Sequence, residues 1–141
     1  DADMAYKAVA SAMRELTIDN LFVCHAPFKE GYQGMQGVEG WRVYELDGNS
    51  GFSASVAEML LQSHDGVIRL LPALPKEWPD GSVRGLRARG GYSVDFDWRD
   101  GKLTRCAVRS ALRHSCTVSY AGKTVTAALT DGGAVFNKMS F

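Results

Sequence analysis

Two carboxylates and an amide crowd the segment Tyr44-Glu45-Leu46-Asp47-Gly48-Asn49. Paired carboxylates suit general acid–base work at a glycosidic bond, where one protonates the leaving oxygen and the other activates water. A Gly-rich stretch just upstream holds His25 and Trp41. Trp and Tyr rings offer flat apolar faces for a sugar, while nearby polar groups take its hydroxyls. The same residue types have a second reading. Asp47 and Asn49 also suit a turn and the start of a helix, with no chemistry attached. Both readings stand at this point.

Other chemistries lack their signatures. His25, His64 and His114 are scattered, without the spacing of a metal site. No Gly-rich phosphate loop and no nucleophile elbow occurs. Cys24 and His25 are only sequence neighbours, which makes no dyad. The expectation is therefore no metal and no cofactor.

The elements that must hold this segment come from periodicity. Asp3 to Leu16 predicts an amphipathic helix, with Met4, Ala8, Val9, Ala12, Met13 and Leu16 on one face. Residues 29–40 read as a long loop, and Trp41 to Leu46 as a short strand or ordered loop. Residues 47–51 read as a turn cluster. Phe52 to Ser63 predicts a second helix, apolar enough to be buried. Beyond Asp65 the period changes to two. Val67–Leu71, Ser82–Ala88, Tyr92–Trp98, Leu103–Ser110, Cys116–Tyr120, Lys123–Leu129 and Ala134–Phe136 predict short strands. Asp100-Gly101 is a hairpin signal, and the last three strands read as a meander. The three prolines between residues 72 and 79 predict an extended connection. The fold class that follows is α+β: a helical part over 1–65, then an antiparallel β-sandwich-like domain over 66–141.

Composition bounds the partners. The chain has 141 residues, 45% hydrophobic and 23% charged, enough for a real core. Sixteen basic residues balance sixteen acidic ones, so no field recruits nucleic acid. The arginines between 84 and 113 alternate with acids and read as a mixed solvated face. No apolar run is long enough to span a membrane. The start, DADMAYKAV, has no basic region or apolar core of a signal peptide, and no initiator Met, so a piece of a longer protein is expected. Three cysteines are an odd number. Cys106 and Cys116 are either two buried thiols or one bridge across a hairpin.

From Ala57 to Leu103 the blocks EMLLQSH, LLPALP, WPDGSV and GLRARGG resemble the C-terminal part of glycoside hydrolase family 95, the inverting α-L-fucosidases and their relatives. Upstream, Asn20-Leu21-Phe22 with His25 and Pro27-Phe28 is similar to that family's NLFDxHPPF segment. Residues 44–51 are similar to its FQIDGNFG segment. The likeness covers most of the chain and weakens after about Ser110. It implies the last helices of an (α/α)6 barrel followed by a C-terminal β-domain. It implies cleavage of terminal α-L-fucosyl or α-L-galactosyl linkages with inversion. Asp47 would belong to the network that positions the attacking water, and His25, Trp41 and Asn49 would contact the sugar. The family's general acid lies upstream of everything present, and neither Glu45 nor Glu58 matches it. Glu45 replaces the motif Gln, Ser50 replaces its Phe, and residues 29–43 intervene.

The resemblance implies a terminal fucose-type glycan as substrate, and the rest of the barrel as the partner of the apolar helices. A second copy of the chain is the other partner that could cover them. The chain alone would be inactive. The alternative is a non-catalytic β-module that braces the barrel or binds carbohydrate. The compartment is not written in these residues, and a periplasmic or secreted parent is compatible with the resemblance.

Overall fold

The structure is a computed structural model that describes residues 1–19, 21–24 and 44–141. The chain divides into two compact units. One is Met4–Val56, and the other is Ala57–Phe141 together with Asp1–Asp3.

In the first unit, helix α1 (Ala2–Leu16) follows its predicted periodicity, with Asp3 in the first turn and Arg14 in the last. Those charges complement the helix dipole. A short turn reverses the chain, with Leu21 N–H donating to the Ile18 carbonyl. Thr17 then bridges Val23, and Cys24 bridges Tyr44, both antiparallel. Helix α2 (Leu46–Leu60) opens where a turn cluster is predicted and ends three residues early. Gly48 and Gly51 are poor helix formers, but tertiary contact outweighs propensity at Gly48. A Cβ there would lie 3.1 Å from Val23 Cγ1, tighter than ordinary contact, so glycine eases this approach of the helix. Nor is α2 buried throughout: only Met59 and Leu60 are.

The second unit is two four-stranded sheets. One has the order β1 (Leu61–Gln62), β2 (Ile68–Leu70), β6 (Ser115–Tyr120), β7 (Lys123–Ala128). The other has the order β3 (Gly81–Ala88), β4 (Tyr92–Arg99), β5 (Lys102–Arg109), β8 (Gly133–Asn137). Two expectations need correction. The pairing is not wholly antiparallel, because β2 and β6 run parallel. The long connection through β3, β4 and β5 allows this, whereas a hairpin would not. The last three strands are also no meander. β8 leaves β7 and pairs with β5 in the other sheet, setting Phe136 opposite Cys106.

Hydrophobic alternation explains the core. Val94, Phe96 and Trp98 of β4 are buried with Leu103, Cys106 and Val108 of β5, Ile68 of β2 and Val118 of β6. Tyr120 Oη accepts the Leu103 N–H at 3.0 Å, and Tyr92 Oη donates to the Ser115 carbonyl at 2.8 Å, tying one sheet to the other. Asp100 and Gly101 both take positive φ, as a tight hairpin with native twist requires. The proline-rich connection is more than a spacer. Pro75 is fully buried, and the Trp98 indole donates to the Trp78 carbonyl at 2.9 Å.

Cys106 and Cys116 are free, buried thiols, so the bridge is ruled out and the thiol reading holds. Burial pushes the Cys106 thiol up to about 12, and Cys116 moves the same way for the same reason.

Candidate functional site

The corner around Asp47 is built from three short pieces of the helical unit. Val23 and Cys24 form an extended pair, Tyr44 and Glu45 lie beside it, and the first turn of α2 follows. Glu45 N–H donates to the Val23 carbonyl at 3.2 Å, while Phe22 and Tyr44 meet edge to face at 5.1 Å. Asp47 stands in the first turn of α2 with its carboxylate exposed, accepting the Gly48 N–H at 3.0 Å. A carboxylate suits this place, because the first-turn amides carry partial positive charge.

Asn49 holds the corner together. Its Oδ1 accepts the Val23 N–H at 3.0 Å. Its Nδ2 donates to the Val23 carbonyl at 2.8 Å and to the Glu45 carbonyl at 2.6 Å. The side chain thus acts as a strand partner for a residue 26 positions upstream. Both amide hydrogens are engaged, so only Oδ1 keeps capacity for a ligand hydroxyl. Motif spacing does not reveal this clasp, because it joins residues far apart in sequence.

Of the four residues singled out in the sequence, Asp47 and Asn49 share this corner, while His25 and Trp41 lie outside the described residues. Below it, Val9, Ala12 and Leu16 of α1, with Val23, Gly48 and Phe52, line an open and largely apolar hollow of about 240 Å3. Glu58, in the strand-rich unit, contacts His64 Nε2 at 2.9 Å and Arg89 Nη1 at 3.6 Å. Among the described residues no three acids, histidines or cysteines gather as a metal site. No described helix is long and apolar enough to cross a membrane.

An exposed carboxylate at a helix start, beside a corner that Asn49 holds, can accept hydrogen bonds from a water or a hydroxyl. Inverting cleavage of a glycoside needs a second carboxyl group at about 6.5–9.5 Å.

A helical unit bearing that carboxylate, together with a two-sheet domain, is the class of architecture the geometry defines. Residues 62–139 match glycoside hydrolase family 95, C-terminal domain, and the chain belongs to that family. It is 40% identical over 114 residues to alpha-L-fucosidase 2 of Arabidopsis thaliana, covering 80% of this chain and 12% of that protein. It is 43% identical to probable alpha-fucosidase A of Aspergillus oryzae, over 39% of this chain and 9% of that protein. The Aspergillus niger protein of the same name is 33% identical over 51% of this chain and 11% of its own length. The chain therefore spans about an eighth or less of the curated relatives it matches.

Proposed function

We propose that this chain is the C-terminal portion of a glycoside hydrolase that cleaves terminal α-L-fucosyl, or α-L-galactosyl, linkages with inversion. Residues 1–65 would close the catalytic (α/α)6 barrel, and residues 66–141 would form the C-terminal β-domain. The observation that carries this reading is Asp47, an exposed carboxylate at the start of α2 in a chain whose relatives are named fucosidases. Asp47 would orient the attacking water, with His25 and Trp41 against the sugar. Asn49 would act chiefly by holding the turn, since its amide hydrogens are already engaged. The general acid would come from outside this chain, so the chain alone would not turn over substrate.

The exposed apolar side chains of the helical unit support a missing partner. Met4, Met13 and Leu46 are exposed, and α1 buries no residue. The rest of the barrel would cover them, or else a second copy would. The test is hydrolysis of an aryl α-L-fucoside by the purified chain, with Asp47→Ala as control. No turnover is expected; turnover lost in the variant would overturn the missing-acid account.

A second reading has its own support. Phe96 and Trp98 are buried, so the β-domain keeps these aromatic faces for its core. That favours a bracing role over sugar binding by aromatic stacking.

A further inference from the structure

We propose that the outer face of the sheet containing β3, β4 and β5 binds a saccharide through one carboxylate, held between Arg87 and Arg109 above Ser93. The choice of a saccharide rests on the glycoside hydrolase reading; the choice of an anion rests on the residues.

The strand register pairs Arg87 with Ser93, and Ser93 with Arg109. Directly paired residues on neighbouring strands share a face, with Cβ atoms about 5 Å apart. Two arginines therefore flank one serine in a row across three strands. Gly91 and Gly132 add no side chain, and an open hollow of about 500 Å3 lies there. Leu112, 76% exposed, forms an apolar rim. That rim is braced, since Ser110 Oγ donates to the Gly91 carbonyl and accepts the Leu112 N–H, both at 3.1 Å.

The two arginines are not equivalent. Arg109 is aimed by Asp95 at 2.5 Å, and Asp95 also accepts the Gly85 N–H at 2.7 Å. Arg87 is exposed and has no ion pair among the described residues. One positive charge is thus unmatched, and one carboxylate would match it. A guanidinium fork takes a carboxylate through two parallel hydrogen bonds. Leu112 suits the C–H face of a sugar ring. Asp95 and Asp97, along the same strand face, are neutralised by Arg109 and Arg84, so the one unmatched charge of Arg87 suits a single carboxylate better than an extended polyanion such as nucleic acid.

The experiment is an amide NMR titration of the 141-residue chain with trigalacturonate, its fully methyl-esterified form, inorganic sulfate and a single-stranded DNA oligomer. Trigalacturonate is expected to shift the amides of Gly91, Ser93, Ser110 and Gly132, with the ester and sulfate far weaker. Arg87→Ala is expected to weaken binding at least about tenfold, and Arg87→Lys less, because it keeps charge without the fork. Unperturbed amides elsewhere in the variant spectra would establish that the fold survives. Equal binding of the ester, equal binding by sulfate, tighter binding of DNA, or no shifts would each overturn the proposal. Fucoside hydrolysis has no part in the readout, so failure of the activity reading leaves this test standing.

Discussion

The strand-rich unit keeps Val94, Phe96, Cys106, Val108 and Val118 wholly from solvent, whereas the described part of Met4–Val56 buries only Val23 and Cys24 among its apolar side chains. The unit with the core lacks the candidate catalytic carboxylate, and among its described residues the unit with that carboxylate shows no comparable core. Burial of apolar surface is the main force that holds a domain together. The β-domain therefore has its own source of stability, and the described part of the helical unit has a much smaller one.

Substitutions would break or sharpen this contrast. Phe96→Ala should cost the most, about 3–5 kcal/mol in denaturant unfolding, because it empties the centre of the β-domain. A loss near zero would mean the sandwich core is not what stabilises the chain. Alkali should act at the same place. The folded Cys106 thiol sits at about 12, against 9.0 for an ordinary one, so the unfolded chain releases its proton first. Stability is intact below pH 9 and is lost as pH rises towards 12, by on the order of 4 kcal/mol. Cys106→Ala should flatten that limb of a stability–pH curve.

Gly81→Ala tests the proline-rich brace. A Cβ at residue 81 would meet the Trp98 ring at 2.1 Å, so the buried indole must move. A cost of about 1–3 kcal/mol is expected, with a change in tryptophan emission. Asn49→Ala removes three hydrogen bonds at the candidate site and should cost about 1–3 kcal/mol there. The effect should show as faster hydrogen exchange at the Val23 amide, with the thermal transition of the β-domain unmoved. If that transition shifts as well, the two units are not independent in stability.

The smallest effect belongs to Asp65. Arg69, hydrogen-bonded at 2.5 Å, holds its carboxyl down at about 2. The pair's contribution is present above the ordinary carboxylate value and lost as pH falls towards 2. The pair is about half exposed to solvent, which screens it, so Asp65→Asn should change acid unfolding only slightly.

Much of the β-domain was legible in its residues. From Val94 to Arg99 the strand alternates buried and more exposed positions, and Asp100-Gly101 turns as the pair requires. Those signals are local, because strand period and turn chemistry act between near neighbours. The helix start at Leu46 was hidden, since Gly48 and Gly51 speak against a helix and the close approach of Val23 to Gly48 joins residues far apart in the chain. At the candidate site, Asp47 was readable as a carboxylate in a motif, but the Asn49 clasp was not.

Local pattern by itself determined the strands from β2 to β8, the hairpin between β4 and β5, α1, and the family likeness, whereas Leu61–Gln62 read as the end of a helix. Tertiary structure alone decided that β2 runs parallel to β6, that β8 crosses to the other sheet, and that two arginines flank Ser93. The physical reason is the same in each case. Periodicity records which face of an element seeks burial, while the choice of neighbour depends on packing between residues that are far apart in the chain.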